Sequence, residues 1–295
     1  MPSLNYAAPA SVQEAIALLA GTAGLAKPLS GGTDLLVQLR SGRMKPELIV
    51  DIKHIPGMLG IREEANGFVI GAATPGVAIE AHVGLKAAWP GLVEAMDLIG
   101  SEQVQGRASL AGNLCNASPA ADSVPAMIAA GATAVIVGPK GERTVPVESV
   151  VVGPGRTSLA RDEFILAIRL PPRAPRSGDA YLRFIPRTEM DIAVVGCGVN
   201  VTLDGGGVCT AARVVLGAVA PTPLLVADAA AALIGHTLDA ATLARLDAAA
   251  QAACKPISDK RGTIEYRTKV AGVLARRAAA IAFQRAAGTV AAKGH

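Results

Sequence analysis

The sequence predicts a mixed α/β (α+β) fold that ends in a helical C-terminal region, and three observations carry this prediction. Short runs rich in β-branched residues, such as 48–52 and 68–72, indicate strands. The segment Asp204-Gly205-Gly206-Gly207 separates two β-rich runs, 193–203 and 208–219, which is the pattern of a β-hairpin. Alanine-rich stretches then indicate helices over 224–235, 240–254 and 263–287.

The N-terminal half alternates predicted helices and strands. Ser11 and Glu14 have the spacing of a capping box, which predicts the start of the first helix. A strand is expected to end at Leu29, and a short helix is expected to follow over 35–39. Apolar residues at helical spacing predict an amphipathic helix over 92–99. Later in this half, Asp122 or Ser123 is expected to cap a helix, and strands are expected at 133–137 and 164–170.

A proline-rich segment, 171–178, is the clearest linker in the chain. It contains three prolines and a glycine, a density that the interior of a helix or strand does not tolerate. A chain of 295 residues is also long enough for two domains. The sequence therefore predicts an N-terminal domain over 1–175 and a C-terminal domain over 176–295.

Composition indicates a folded protein and disfavours several function classes. Hydrophobic residues make up 51% and charged residues 18%, while the net charge is only +4 and the basic residues are scattered, which disfavours nucleic-acid binding. The mean hydropathy is +0.40, but the longest uncharged stretch, 124–139, is shorter than the roughly 20 residues that span a membrane. Because the N-terminus also lacks a signal-peptide pattern, we expect a cytoplasmic protein without a membrane span.

No catalytic residue and no metal site can be assigned from the sequence. The cysteines form no Cys-x-x-Cys pair, so neither zinc nor an iron–sulfur cluster has its usual spacing, and reduced, mostly buried thiols are expected. The histidines are isolated from other metal-ligating residues and receive no role. These residues are Cys115, Cys197, Cys209 and Cys254, with His54, His82, His236 and His295.

Two glycine-rich segments are the strongest candidates for a binding site. We call 30–34 the first glycine segment and 109–113 the second glycine segment. Glycine lets the backbone turn sharply, and successive N–H groups in such turns form a concavity that binds anions. A pair of these segments suits a pyrophosphate, although each segment alone is also compatible with an ordinary turn.

A dinucleotide-binding Rossmann fold is not supported by the glycine pattern. Gly196 and Gly198 lie within a strand-like run, and Val201 stands where a third glycine would fall. The chain has no Walker A sequence either. The glycine pattern therefore predicts neither a Rossmann fold nor a P-loop.

Six motifs, in order along most of the chain, carry a resemblance to a known family. The chain resembles the FAD-binding subunit of molybdenum hydroxylases, which include carbon monoxide dehydrogenase and relatives of xanthine dehydrogenase. The motifs are the opening block (30–36, 46–52 and 55–57), then 70–74, 109–113, 187–193, 217–223 and 259–267.

The resemblance implies a fold and a set of FAD contacts. The fold would be a two-part FAD-binding domain of the vanillyl-alcohol-oxidase type, followed by a small antiparallel sheet packed with helices. Alanine at 111 departs from the glycine that the family often has there. The implied FAD contacts are Ser30, Gly31, Gly32, Thr33 and Asp34 in the first pyrophosphate loop, Ser109, Leu110, Ala111, Gly112 and Asn113 in the second, Thr74, Asp122, and Asp191 and Ile192 beside the isoalloxazine.

Two of these contact residues have structural alternatives, and the neighbouring Cys115 has two possible roles. Asp122 is equally compatible with a plain helix cap, and Ile192 with a residue of a strand core. Cys115 adjoins the second glycine segment, and we interpret it as a small buried residue and not as a redox group.

The family resemblance also implies a function and partners. The chain would be an electron-transfer subunit that relays electrons from an iron–sulfur subunit through FAD to an external acceptor. A large molybdopterin subunit and a small subunit with [2Fe–2S] clusters would complete a dimer of heterotrimers. Two alternatives remain open: a self-sufficient flavin oxidoreductase of the same fold, and a non-catalytic scaffold whose glycine segments are only turns.

Overall fold

A computed structural model describes residues 4–65, 67–187 and 190–288, and its strands form three main sheets and one short ladder. The strands are β1 Asn5–Ala7, β2 Ala26–Leu29, β3 Leu48–Asp51, β4 Ile61–Glu64, β5 Gly67–Gly71, β6 Thr133–Gly138, β7 Gly141–Pro146, β8 Val151–Gly153, β9 Arg156–Thr157, β10 Phe164–Leu170, β11 Ser177–Phe184, β12 Val195–Leu203, β13 Cys209–Gly217 and β14 Leu224–Leu225. The helices are α1 Val12–Gly21, α2 Leu35–Arg40, α3 Gly76–Glu80, α4 Val83–Ala88, α5 Pro90–Asp97, α6 Glu102–Gln105, α7 Leu110–Asn116, α8 Ser123–Ala129, α9 Ala227–Leu233, α10 Ala240–Ala253 and α11 Ile264–Ala286.

The first sheet is parallel and has the order β1-β3-β2. Parallel neighbours need crossover connections, and here α1 joins β1 to β2 while α2 lies between β2 and β3. The capping box at the start of α1 is confirmed, because Ser11 Oγ accepts a hydrogen bond from Glu14 N at 3.1 Å. The Glu14 carboxylate returns to the backbone, where it accepts from Ala10 N at 2.9 Å.

The second sheet is antiparallel and has the order β4-β5-β10-β6-β7. Its inner face shares one hydrophobic core with α1, α5, α7 and α8, whose buried members include Leu19, Leu92, Leu114 and Met127. The two sheets therefore make up a two-part α/β region, as the resemblance implied.

The third sheet is antiparallel and has the order β11-β12-β13-β14, with α9, α10 and α11 packed against it. The predicted hairpin is confirmed, because β12 and β13 pair from Gly196 with Gly217 to Leu203 with Cys209. This small antiparallel sheet packed with helices is the C-terminal fold that the resemblance implied.

Two boundaries near this sheet were predicted wrongly. The expected linker 171–178 is cut short by β11, which starts at Ser177 and pairs with β12 over its full length. The expected helix over 224–235 begins only at Ala227, because Leu224 and Leu225 pair with β13 as a short edge strand. Both strands form by pairing with a neighbouring strand, which the composition of the segment alone does not reveal.

The sheet of the C-terminal region packs directly on α8, and glycines allow this contact. A Cβ atom on Gly198 would lie 2.8 Å from Pro125 O, and one on Gly217 would lie 2.8 Å from Pro125 Cγ. Since real Cβ atoms do not approach so closely, these strand positions are restricted to glycine. Gly198 therefore has a packing role, which agrees with the rejection of a Rossmann motif.

The longest helix, α11, is tied to the sheet by a buried arginine. The Arg267 guanidinium donates to Val194 O at 2.7 Å and forms an ion pair with Asp259 at 2.7 Å. Arg276, Arg277 and Arg285 make the same helix strongly charged. No helix in the described ranges has the length and apolar character required to cross a membrane.

Candidate functional site

The first glycine segment follows β2 and lies against the backbone just before the second. A Cβ atom on Gly31 would lie only 1.8 Å from Arg107 O, so no side chain fits at this position. Gly32 has a φ of +79°, a left-handed conformation that favours glycine. Residue 31 therefore provides a close approach between two parts of the chain, and residue 32 provides the turn into α2.

The second glycine segment was predicted as a loop, but the structure shows that it is the start of helix α7. Ser109 is the N-cap residue, and its Oγ accepts a hydrogen bond from Gly112 N at 3.1 Å. Leu110, Ala111, Gly112 and Asn113 lie in the first turn. The N–H groups of a first helical turn lack partners within the helix, so this segment also presents donors.

One side-chain contact joins the two glycine segments, which are about eighty residues apart in sequence, and a second joins helices α2 and α7. Ser30 Oγ and Ser109 Oγ are 2.8 Å apart and share a hydrogen bond. Gln38 in α2 donates to Asn116 Oδ1 in α7 at 3.0 Å. The paired arrangement that the sequence predicted is therefore present, with serine hydroxyls at the junction.

The two segments form part of the wall of a cavity of about 800 Å³. Its volume lies in the range of small-molecule and cofactor sites, roughly 300–1,000 Å³. From the glycine segments the cavity extends along β2 and reaches β10 on the opposite side. The predicted contact residues that line it are Ser30, Gly31, Gly32, Thr33, Asp34, Ser109, Ala111, Gly112 and Asn113.

Leu110 and Thr74, two further predicted contacts, do not line this cavity. The Leu110 side chain is buried in the N-terminal core. Thr74 is fully buried, and its hydroxyl donates to Gly60 O at 3.0 Å. Neither side chain has a free polar group directed toward the cavity, so their contact with a cofactor stays a prediction.

Asp122 also lies outside the cavity, and its alternative role as a helix cap is wrong. It precedes α8 but makes no side-chain cap hydrogen bond. Instead it accepts a hydrogen bond from Tyr181 at 2.9 Å and pairs with Arg183 at 2.8 Å. Burial raises its pKa against the effect of these partners. Ser123, the other expected cap, donates to Asn113 Oδ1 at 2.7 Å.

Asp191 and Ile192 belong to the C-terminal region and do not line the cavity, and the Asp191 side chain is only 6% exposed. Arg187 and the backbone N–H of Ile192 lower the pKa of Asp191 to about 2, with Arg261 as a further partner. Ile192 is 52% exposed, so the alternative of a strand-core residue is wrong. Thr188 and Glu189, which belong to the same motif, lie outside the described residues.

Two cations in the cavity wall were missed as site residues. Lys27 lies on β2 and Arg43 follows α2, and within the described part of the chain neither forms an ion pair. Lys27 lies on the strand that leads into the first glycine segment, three residues before Ser30. A basic residue at this position was visible in the sequence and could have been predicted as a site residue. Arg43 had no local signal, because it lies outside both glycine segments.

Cys115 is exposed to the cavity, which corrects the expectation of a buried residue. The protein packed around its thiol raises the pKa to about 12, with Lys27 acting in the opposite direction. A thiol with so high a pKa is protonated at neutral pH and is a poor nucleophile. Cys197 and Cys209 are buried and Cys254 is partly buried, as expected.

The cavity fits a cofactor that contains a pyrophosphate. Unpaired Lys27 and Arg43 supply positive charge, the serine hydroxyls and the first turn of α7 supply donors, and glycines keep the wall free of side chains. Asp34 also lies in this wall, where burial raises its pKa. Across the described ranges, no three His, Cys, Asp or Glu side chains are grouped so that they could hold a metal ion.

Comparison with known families decides the family of this chain. Residues 2–173 match the family described as the FAD binding domain in molybdopterin dehydrogenase. Residues 180–282 match the CO dehydrogenase flavoprotein C-terminal domain. The chain belongs to the FAD-binding subunits of molybdenum hydroxylases. It is thus the flavoprotein subunit of an oxidoreductase, and the family resemblance is confirmed.

Relatives match this flavoprotein subunit over nearly its full length. The carbon monoxide dehydrogenase medium chain of Hydrogenophaga pseudoflava is 36% identical, over 97% of this chain and 99% of that protein. A putative xanthine dehydrogenase FAD-binding subunit of Escherichia coli K12 is 32% identical, over 89% of this chain and 90% of that protein.

Solved structures confirm the fold of the flavoprotein subunit. A carbon monoxide dehydrogenase structure from Hydrogenophaga pseudoflava superposes with a TM-score of 0.92 and 37% identity, over 97% of this chain and 99% of that one. Quinoline 2-oxidoreductase from Pseudomonas putida 86 superposes with a TM-score of 0.89 and 27% identity, over 97% and 98% of the two chains. The same architecture therefore occurs in enzymes with chemically different substrates.

Proposed function

We propose that this chain relays electrons from an iron–sulfur subunit to an external acceptor through its FAD. The observation that carries the proposal is the cavity between the paired glycine segments, in a member of the flavoprotein-subunit family. Bound flavin supplies redox chemistry that can link one-electron and two-electron steps. The protein supplies binding, orientation and charge.

The pyrophosphate is proposed to lie between the two glycine segments. Backbone N–H groups of 31–33 and of the first turn of α7 would donate to it, with the hydroxyls of Ser30 and Ser109. Lys27 and Arg43 would neutralise its charge. Oxygen atoms of phosphate accept strong hydrogen bonds from such groups.

The adenosine half is proposed to occupy the arm of the cavity along β2. Residues 23–29 line this arm, and a strand advances about 3.3 Å per residue, so the arm extends well beyond the glycine segments. The isoalloxazine would then lie in the other direction, toward Asp191 and Ile192, with Thr74, Leu110 and Asp122 nearer to that side.

Flavin titration of the purified full chain tests this arrangement. We expect a strong preference for FAD over FMN, because FMN lacks the second phosphate and the adenosine that the cavity accommodates. ADP should compete with FAD, since it carries the half that the arm along β2 would bind. Equal affinity for FMN and FAD would contradict the two-segment arrangement.

The partners are proposed to be a large molybdopterin subunit and a small [2Fe–2S] subunit in a dimer of heterotrimers. The described part of this chain has no metal-binding group of its own, and its family consists of subunits of molybdenum hydroxylases. Co-expression should yield a complex in which the substrate of the molybdopterin subunit bleaches the FAD rapidly. The isolated chain should show no bleaching with that substrate. If the FAD were bleached at equal rates in the complex and in the isolated chain, the chain would be a self-sufficient flavin oxidoreductase and not an electron relay.

Two further expectations also stay proposals. Separate hydrophobic cores, with buried members such as Leu92 in one and Leu274 in the other, support a domain boundary near 175/176. Limited proteolysis should then cut first at 171–176. A cytoplasmic location is expected from the sequence, and cell fractionation tests it.

A further inference from the structure

Arg161 makes an unusual set of contacts at the wall of the cavity. Its Nη2 donates to Thr22 O, to Ala23 O at 3.4 Å and to Gly24 O at 2.8 Å. Three successive backbone carbonyls therefore converge on one guanidinium nitrogen. Arg161 has no carboxylate partner within the described residues, so its guanidinium interacts mainly with these carbonyl oxygens.

The three carbonyls belong to the segment that connects α1 to β2. Thr22 is the C-cap of α1, and the carbonyls at a helix C-terminus lack partners and carry partial negative charge. The other side of the segment is held by Glu47, whose Oε2 accepts from Gly24 N at 3.0 Å. Residues 22–24 are thus fixed between a cation and a carboxylate.

The contact joins the two parts of the N-terminal region across the cavity. Residues 22–24 lead into the parallel sheet, whereas Arg161 precedes β10 of the antiparallel sheet. Ala23, Gly24 and Arg161 all line the cavity, in the arm proposed to hold adenosine. The partners are 137 to 139 residues apart in sequence, so this contact depends on tertiary packing.

We propose that Arg161 is a positioning residue that holds segment 22–24 as a wall of the cavity and thereby slows the release of the adenosine half of FAD. This inference rests on the proposed function. Without the guanidinium, the carbonyls of Thr22, Ala23 and Gly24 would turn to water, and the wall would open more often. Release of the ligand would then become faster.

The test compares Arg161→Gln with Arg156→Gln in the full chain. Arg156 is an exposed arginine on β9 that does not line the cavity, so its replacement removes the same charge without touching segment 22–24. Flavin fluorescence gives the rate of FAD release, and thermal unfolding of the flavin-free chain reports any general loss of stability. Arg161→Gln should release FAD about fivefold faster, as expected for the loss of exposed charged contacts, while Arg156→Gln should behave as wild type.

A second pair of measurements separates this role from a purely structural one. Glu47→Ala removes the side-chain acceptor of Gly24 N and loosens the same segment from its other side, so it should also speed FAD release. ADP should lose affinity by the same factor as FAD in Arg161→Gln, because the segment faces the adenosine half. Unchanged release, an equal effect of Arg156→Gln, or a loss confined to FAD would overturn the inference.

The outcomes also distinguish a failure of the role of Arg161 from a failure of the proposed FAD-binding function. If the wild-type chain binds neither FAD nor ADP, the proposed function fails. If both ligands bind and Arg161→Gln releases them at the wild-type rate, only the role of Arg161 fails. Should Arg161→Gln not fold, Arg161→Lys keeps the charge but not the planar donor set, and it should still speed release.

Discussion

At the residue scale, the glycines of the two segments are required for different reasons, and this difference sharpens the test of phosphate binding. Gly112→Val should abolish FAD retention with little change in unfolding temperature. Its new side chain would meet Ser109 Oγ at 3.0 Å and extend into the cavity, and each lost hydrogen bond to a charged group costs about 1.5–3 kcal/mol. Flavin content after gel filtration measures the effect.

Gly205→Val is the matched control, because this glycine lies in the hairpin turn with open space around its Cβ position. It should keep its flavin. Gly31→Ala should behave differently from both and destabilise the fold itself, by about 1–3 kcal/mol, since the added methyl group would overlap Arg107 O. If Gly112→Val stays fully yellow, direct contact at this position is excluded.

At the scale of elements, α7 depends on the residue that also joins the two segments. Ser109→Ala removes the N-cap acceptor for Gly112 N and the hydroxyl contact to Ser30, and should cost about 1 kcal/mol in unfolding free energy. Ser101→Ala is the control, because Ser101 precedes α6 without a side-chain cap hydrogen bond. Chemical denaturation of both variants measures the difference. Equal losses would show that capping at Ser109 contributes nothing.

The elements also show how far the sequence predicts this fold. The capping box of Ser11 and Glu14 and the turn at 204–207 are local signals, and both were read correctly. Strand β11 was missed because it forms by pairing with β12, which local composition does not show. The start of α7 was missed although it carries a local signal, the N-cap serine Ser109. Contacts between distant residues also limit the prediction of the site. Its glycines were visible in the sequence, but the Ser30–Ser109 hydrogen bond and the hydrogen bonds from Arg161 to backbone carbonyls were not.

At the scale of the whole molecule, Asp179 is a charged junction between the N-terminal and C-terminal regions. It accepts from Gly91 N of α5 at 2.9 Å, pairs with Arg173 of the linker at 3.2 Å and lies beside Arg285 of α11. Burial raises its pKa to about 6, against the effect of Arg173 and Arg285 and with a small addition from Glu94.

This raised pKa gives stability a defined pH dependence. The folded-state value lies above the ordinary value of 3.8, so folding favours the protonated carboxyl. The contribution of Asp179 is therefore fully present below pH 3.8 and is lost as the pH rises through about 6. Asp179→Asn should remove this decline from unfolding measured between pH 4 and 7, while Asp228→Asn, at an exposed site, should keep it. If stability still declines between pH 4 and 7 in Asp179→Asn, another titrating group causes the decline.

The span of chain that encloses the cavity has a consequence for biosynthesis. Among the residues that the structure describes, its lining begins at Ala23 and ends at Ile165, on β10. A nascent polypeptide on the ribosome therefore lacks a finished pocket until β10 has emerged. Because domains fold as units during translation, the ADP half of the cofactor can bind before the C-terminal region, toward which the isoalloxazine is proposed to lie, has been made.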